Sequence, residues 1–341
     1  MKKLLNTLYV TKQGTFLRKD GETVVVELDG QVLLRLPIHT LCSIVMFGNV
    51  MASPFLIGLC TERGVCVSMM SEHGRFLARI EGPVSGNVLL RLAQMRAYES
   101  TARKGDLARS FVIGKLYNAR AVQMRRMRDH GETAALKAGA DVQLDVLRRV
   151  RDSSPDAARI RGLEGEAAAS YFGCFNDLIV AQREDFAIAS RNRRPPMDPM
   201  NALLSYLYTL LAHECRGALE GVGLDPQIGF LHEVRPGRPA LALDLMEEFR
   251  AVLADRMALS LVNLKQVVRR DFKTTESGAV TMGEEVRKTV LMSWQKKKQE
   301  VVEHPFLKER MPIGLIPHVQ ALLLARHLRG DLDAYPPFMM K

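Results

Sequence analysis

The sequence predicts an α+β fold: a small N-terminal β-rich domain over residues 1–84, then a larger all-α domain over residues 85–341. Three observations carry this. The first eighty residues alternate short β-branched runs with Gly-containing turns. From residue 88 onward, apolar residues recur at intervals of three and four, the period of one helix face. Aromatic residues make up only 6% of the 341 residues, with one Trp, too few for an aromatic-rich all-β barrel. With 47% apolar and 25% charged residues, the chain buries a core and is not disordered.

In the first domain, Asp20-Gly21 and Asp29-Gly30 read as type I′ turns, whose positive φ suits small residues and Gly. They separate strands at 14–18, 22–28 and 31–37, where Val24, Val25 and Val26 favour a pleated surface. A strand at 43–47 follows, then a helix with Ser53 as N-cap, Pro54 in its first turn and Gly64 as its stop. Strands at 65–70 and 75–80 pair around His73-Gly74. Beyond Gly82-Pro83-Val84-Ser85-Gly86 the pattern turns helical, at 88–129, 132–150 and 155–190. A helix at 198–219 opens with Asp198 as N-cap and Pro199 at its first position. Three more are expected at 240–270, 283–300 and 314–329.

Lys and Arg number 48 against 38 Asp and Glu, a net charge of +10, which raises the odds of a polyanionic partner. Cysteines stand at 42, 60, 66, 174 and 215 with no C-x-x-C pair. That is neither a disulfide framework nor a zinc ribbon, and it reads as a reducing compartment with cysteine as buried filler. The opening Met1-Lys2-Lys3-Leu4-Leu5-Asn6 has too short an apolar run for a signal peptide. The longest apolar stretch, 203–212, contains Ser205, Tyr206, Tyr208 and Thr209 and is too short to span a bilayer. A soluble, cytoplasmic protein without a membrane partner is expected.

The chemistry concentrates in three segments. On a helix through 241–250, Asp244 and Glu247 share a face one turn apart, with Glu248 alongside. Leu243, Leu245, Met246 and Phe249 surround them, and a carboxylate drawn into such surroundings needs a cation, a hydrogen bond or a raised pKa. Taken alone, the stretch also reads as a solvated acidic stripe. His232 ends the apolar run 228–231, and the loop 235–239 turns the chain back, so the imidazole can meet this acidic face. Histidine with carboxylates and no thiolate suits Mg²⁺ or Mn²⁺ better than structural zinc. A further carboxylate from a distant element is wanted, and Glu164 is the candidate. Gly162 and Gly165 flank it, a pattern that also describes a close helix contact.

Taken together and in order, four segments resemble the CRISPR-associated integrase family: Glu164-Gly165 with Ala167-Ala168 and Tyr171-Phe172; Asn201-Ala202-Leu203-Leu204-Ser205-Tyr206; Gly229-Phe230-Leu231-His232; and Leu243-Asp244-Leu245-Met246-Glu247-Glu248-Phe249-Arg250. The resemblance is to the larger subunit of the spacer-acquisition complex, usually called Cas one, in a sequence style similar to subtype I-C. It implies a divalent-metal site of Glu164, His232 and Glu247, with Asp244 as the catalytic acid one turn before the last ligand. That last acid is Asp in many relatives, which leaves open which of Asp244, Glu247 and Glu248 coordinates. It further implies a homodimer joined through the β domain and a small Cas two-type subunit bridging two dimers, with a Cas four-type nuclease as a further candidate partner.

The activity the resemblance implies is insertion of short DNA duplexes into a CRISPR array as new spacers, the adaptation stage of antiviral defence. Each 3′-hydroxyl attacks a phosphodiester at a repeat boundary. No nucleoside triphosphate is required, and the chain has no G-x-x-x-x-G-K-[ST] loop. Two rival readings remain: a structure-specific, metal-dependent nuclease acting on branched DNA, and a non-catalytic DNA-binding scaffold. Double-stranded DNA suits the basic segments. Residues 103–129 hold eight Lys/Arg and two Asp, and Lys115, Asn118 and Arg125 share a helical face there. Arg193 and Arg194 lie in a loop before the Asn201 helix, and Lys296-Lys297-Lys298 follow Trp294, itself read as a core anchor.

Overall fold

Short β-branched runs build eight strands at the start of the chain: β1 (Thr7–Val10), β2 (Phe16–Asp20), β3 (Thr23–Leu28), β4 (Gln31–Pro37), β5 (Ser43–Phe47), β6 (Met51–Ala52) and, after helix α1 (Pro54–Glu62), β7 (Cys66–Met70) and β8 (Phe76–Ile80). The computed structural model describes residues 7–41, 43–72, 76–80, 82, 88–192 and 195–340. Cys42, His73, Gly74 and residues 83–87 of the expected hinge therefore lie outside the described residues. The strands form two four-stranded sheets, ordered β1-β5-β7-β8 and β4-β3-β2-β6. Their inner faces (Leu17, Val24, Ile44, Met46, Val67) close on Leu56, Leu59 and Cys60 of α1 in one apolar core. Ser53 caps α1 by accepting the Leu56 N–H at 3.2 Å, with Pro54 in the first turn and Gly64 in the left-handed region at φ +65°.

The β3–β4 turn has both Asp29 and Gly30 at positive φ (49° and 78°), as a type I′ turn requires. The β2–β3 turn differs. Asp20 pairs with Thr23, so its centre is Gly21-Glu22, and of these only Gly21 has positive φ (+58°). That is not a type I′ turn at Asp20-Gly21. β1 and β6 lack a sequence signature because each is held by parallel pairing with a distant strand, β5 and β2 respectively.

The helical part starts with α2 (Val88–Glu99) and α3 (Thr101–His130). These are two helices rather than one, because Ser100 leaves helical geometry and its hydroxyl caps the second at Arg103 N–H. Next come α4 (Ala134–Asp152) and α5 (Ala157–Gly173), which stops well short of residue 190; a 3₁₀ turn and α6 (Arg183–Phe186) fill the remainder. α7 (Pro199–Gly221) opens as its sequence directs, with Asp198 accepting the Asn201 N–H at 2.7 Å. The stretch 240–270 breaks into α8 (Ala240–Glu247), a π-helical turn (Arg250–Asp255) and α9 (Arg256–Asn263). Two hairpins of three-residue strands, β9 (Phe272–Thr274) with β10 (Val280–Met282) and β11 (Val301–Glu303) with β12 (Arg310–Pro312), flank α10 (Glu284–Lys298). α11 (Ile316–Arg329) follows, and no described helix is long and apolar enough to cross a membrane.

Two compact units result. The first holds Met1–Gly86, Arg287–Glu300 and Pro312–Leu315, and the second holds the rest. The two later segments of the first unit, which include the buried Trp294, lie beyond the boundary at residue 85 that the sequence suggests. What matters for function is the packing inside the second unit. Ala108, Val112 and Leu116 of α3 meet Val146 and Val150 of α4, Ile160 and Ala167 of α5, and Leu231 of the α7–α8 loop. This apolar seam fixes the three consecutive helices and the distant α7–α8 loop against one another.

Candidate active site

Glu164 lies midway along α5, and its Oε1 accepts a hydrogen bond from Lys115 Nζ of α3. The same ammonium stands 2.8 Å from Glu247 Oε2 at the end of α8. Glu247 is buried, and its other oxygen lies 3.1 Å from the Arg250 guanidinium and 3.6 Å from His232 Nε2. Burial pushes the Glu247 carboxyl up, but the Arg250 and Lys115 cations outweigh it and hold the group down at about 2. For Lys115, burial acts to lower the pKa, while Glu247 and Glu164 reverse it to a raised one, so the amine stays charged.

His232 is placed by Asp244, which is fully buried in α8. The Asp244 carboxylate accepts the backbone N–H groups of Phe230 (2.5 Å), Leu231 (3.0 Å) and His232 (2.9 Å). It also faces His232 Nδ1 at 2.7 Å. An anionic acceptor there puts the proton on Nδ1 and leaves Nε2, which points toward Glu247, with its lone pair. Gly229 makes the approach possible: a Cβ there would stand 2.8 Å from Asp244 Oδ2 and 2.7 Å from the Ala240 carbonyl carbon. Arg161, one turn before Glu164 on α5, clips the same loop by donating to the Leu231 carbonyl (3.1 Å) and pairing with Glu233 (2.6 Å). Asp244 is thus an orienting group whose oxygens are committed to the loop.

Of the three adjacent acids, Glu247 alone faces Lys115 and His232. Glu248 points the other way. Its oxygens accept from Tyr335 Oη (2.6 Å), Gln320 Nε2 (2.8 Å) and the Phe338 N–H (2.6 Å). Burial still pushes its pKa up to about 8 against these donors. Gly162 and Gly165 mediate no helix contact: a Cβ at either would meet no described atom within 4 Å.

The candidate DNA residues divide. The α3 face carrying Lys115, Asn118 and Val122 is a buried face, not a solvated one. Asn118 is fully buried and its amide is spent: Nδ2 donates to the Glu248 and Phe338 carbonyls (2.7 and 2.8 Å), and Oδ1 accepts the Met340 N–H. It is a tie between α3 and the C-terminal segment and has no group left for a phosphate, which corrects its assignment. Lys115 is committed to the two glutamates. Arg125 lies at the solvent edge, 3.4 Å from Asp129. Arg193 and Arg194 lie outside the described residues. Among the basic cluster after Trp294, Lys298 is buried and lies 3.4 Å from Thr7 Oγ1.

Among the described residues, no three His, Cys, Asp or Glu side chains stand together as a ready metal cage. The Lys115 ammonium lies where Glu164 and Glu247 approach each other. The donors nevertheless fit a hard divalent cation: two carboxylates, one imidazole nitrogen of fixed tautomer and no thiolate. Buried Glu247 Oε2 accepts no hydrogen bond of proper alignment; its described contact is the Lys115 ion pair, so a cation is what satisfies it.

Behind Glu247 runs a second buried network that sequence reasoning missed. Arg250 stacks over the Tyr208 ring at 5.2 Å, and Tyr208 and Tyr171 donate to Asp255 at 2.6 and 3.1 Å. Burial raises the Asp255 carboxyl to about 6 despite both donors. Because the folded value exceeds that of the unfolded chain, the native state holds the extra proton, and stability falls as pH rises from about 4 to about 6. Two units correspond to about 3 kcal/mol. Urea denaturation across that window should show the wild-type decline and a flatter profile for Asp255→Asn; parallel profiles would remove Asp255 as its source.

Known proteins share both the sequence pattern and the fold. A family model described as CRISPR associated protein Cas1 matches residues 8–296. The chain is 54% identical over 347 residues to the CRISPR-associated endonuclease Cas1 2 of Rhodospirillum rubrum, covering 100% of both. A solved structure described as "Casposase bound to integration product" superposes with a TM-score of 0.84 at 22% identity, covering 98% of this chain and 94% of that one. A second, described as "Cas6-RT-Cas1--Cas2 complex", gives 0.82 at 21% identity, covering 98% of this chain and 36% of the other.

Proposed function

Since the chain belongs to the Cas1 family of CRISPR-associated proteins, we propose that it inserts short DNA duplexes into a CRISPR array by strand transfer. The observation that carries this reading is the meeting of Glu164 with Glu247 and the Asp244-oriented His232, from two segments distant in sequence, inside a chain of net charge +10. In each transfer, the donor 3′-oxygen forms a bond to a target phosphorus, the bond from that phosphorus to the target's own 3′-oxygen breaks, and the leaving oxygen takes up a proton. One phosphodiester replaces another, so no triphosphate is consumed.

Glu164, Glu247 and His232 Nε2 would hold Mg²⁺ or Mn²⁺, which supplies a Lewis acid for the phosphoryl oxygens and a lowered pKa for the attacking hydroxyl. Asp244 keeps the imidazole in the tautomer that presents Nε2. Arg250 keeps Glu247 ionised within an apolar wall. Arg161 holds the His232 loop against the helix that bears Glu164. Arg125, with Arg193 and Arg194, is proposed to neutralise backbone phosphates without reading bases. A second copy of the chain is proposed to join through the N-terminal unit, supported by the exposed Val32, Leu33, Leu34, Met51 and Phe55 there. A small Cas2-type subunit is the proposed further partner, in keeping with the solved Cas6-RT-Cas1--Cas2 complex, 36% of one chain of which superposes on this one.

The test is strand transfer of a labelled short duplex into a supercoiled, array-bearing plasmid, with the small subunit and Mn²⁺. Joining is expected with a 3′-hydroxyl donor and none with a 3′-deoxy donor. Glu164→Ala should fold and bind DNA yet lose at least ~100-fold in joining. Undiminished joining by that variant would sink the site. Because the Rhodospirillum relative is named an endonuclease, plasmid cleavage that persists with the 3′-deoxy donor would favour hydrolysis by water on the same residues.

A further inference from the structure

Lys115 is the one residue of the site whose place is at odds with a cation-binding reading, and its position carries an inference of its own. The side chain leaves the middle of α3 between the buried Val112, Leu116 and Phe111. It retains 15% exposure, and its ammonium contacts Glu164 and Glu247 at once. Its described polar partners are these two glutamates alone. The other cation at Glu247 is differently held. Arg250 is 13% exposed, stacks over Tyr208 and approaches the opposite carboxylate oxygen, so its guanidinium is anchored. Lys115 instead carries its charge on a flexible four-carbon stem with free rotation about each bond.

We infer that Lys115 is a resident cation: it occupies the Glu164–Glu247 pair in the metal-free protein and gives up both carboxylates when a divalent ion enters. This rests on the metal-site reading above and adds to it a competition built into the chain. An ammonium and a divalent ion cannot touch the same oxygens without strong repulsion. Without a cation between them, Glu164 and the Oε2 of buried Glu247 would face each other with only Arg250, on the opposite Glu247 oxygen, to offset the repulsion, an unfavourable state. The lysine therefore keeps the metal-free site folded while weakening its hold on metal. Sequence spacing could not reveal this, because Lys115 belongs to a helix far from either glutamate and reads there as one more basic residue.

The experiment titrates Mn²⁺ alone into the full-length protein, with free ion followed by electron paramagnetic resonance. Wild type, Lys115→Met and Glu164→Ala are compared at 0.1 and 0.5 M KCl. Lys115→Met keeps the stem and removes the charge. It should bind Mn²⁺ at least tenfold more tightly than wild type, by a ratio that persists at high salt, because displacement at contact is not screened. Equal or weaker binding by Lys115→Met, with binding that still depends on Glu164, overturns the inference and leaves the metal site standing. A ratio that collapses to one at 0.5 M KCl overturns it as well. Mn²⁺ binding by Glu164→Ala equal to that of wild type overturns the metal-site reading and this inference together. A measurement on wild type guards against misfolding of the variant. Amine acylation read by mass spectrometry should find Lys115 protected in chelator and labelled at saturating Mn²⁺; protection in both conditions overturns the inference.

Discussion

Asp244→Ala is expected to destabilise the helical unit by about 3–5 kcal/mol and to lower strand transfer at least ~100-fold. The two losses have one origin. The Asp244 carboxylate is the acceptor for the N–H groups of Phe230, Leu231 and His232, all within 3.0 Å, and it also holds His232 Nδ1. Removing it leaves three backbone donors without partners beneath Phe230 and Leu231, both of which are buried. An unsatisfied buried donor costs about 1–3 kcal/mol, and water penetrating the gap would recover part of that. The imidazole also loses the anion that fixes its tautomer, so Nε2 no longer faces Glu247 reliably.

Asp244→Asn separates the two effects. The amide keeps the volume and one acceptor oxygen, but it turns an NH₂ group toward donors. It should recover part of the stability and little of the catalysis. Urea denaturation and the plasmid assay, run on both variants and on Glu164→Ala, give the comparison. Glu164 is 20% exposed at its side chain, so its loss should silence transfer with a much smaller stability change. Native stability together with native transfer in Asp244→Ala would show that the loop is held by other contacts and remove Asp244 from the site.

How much of this was legible in the sequence depends on how local each signal is. The caps at Ser53 and Asp198 are local chemistry, a side-chain oxygen three residues from the N–H it accepts, and both form where expected. The helix breaks at Ser100 and after Glu247 are also local, but they hide in continuous apolar periodicity. Strands β1 and β6 and the two short hairpins exist through pairing, which a run of two to four residues cannot announce. At the site, the acidic helix and its histidine were readable because Asp244 lies only 12 residues beyond His232. Glu164 was a candidate from its flanking glycines, a pattern that a close helix contact fits equally, and the family resemblance was needed to assign it a role. The face of α3 was misread for a physical reason: a helical wheel shows that Lys115 and Asn118 share a side, but not whether that side meets solvent or the Glu247–Glu248 turn. Asn118 proved to be a structural amide, and Lys115 a partner of the acids. Arg250 sits three residues after Glu247 and faces it at 3.1 Å, a pairing that the spacing alone permits but does not distinguish from a solvated arginine.

Glu248→Ala is the second large effect expected, about 3–5 kcal/mol, and it should be the same in chelator and in saturating Mn²⁺. That independence separates a strut from a ligand. Glu248 is fully buried beside Glu247 in sequence, yet its oxygens are consumed by Tyr335, Gln320 and the Phe338 N–H. Gln320 is in turn held by His304 at 3.0 Å and by the Pro336 carbonyl at 3.0 Å. The last described residues thus form a strap across α3, closed by Asn118 on the Phe338 carbonyl and the Met340 N–H. Gly114 lets the strap seat, since a Cβ there would stand 3.0 Å from Glu248 Cγ and 3.1 Å from Pro337 Cβ. Truncation to alanine removes the acceptor of the Tyr335 hydroxyl proton and of the Phe338 N–H, leaves the Gln320 amide only Tyr335 Oη and the Pro336 carbonyl, and opens a cavity where the carboxylate stood. Glu248→Gln keeps the shape and one acceptor, so it should lose about 1–2 kcal/mol. Tyr335→Phe removes one donor and should lose about 1 kcal/mol. Strand transfer in Glu248→Ala should fall with the folded fraction and recover in Glu248→Gln. A Mn²⁺ affinity that weakens tenfold in Glu248→Gln, at unchanged stability, would instead make Glu248 a ligand and the strap incidental. The geometry argues against that outcome: to reach the His232 side, the carboxylate would have to abandon three donors, of which the Tyr335 hydroxyl and the Phe338 N–H have no other described acceptor.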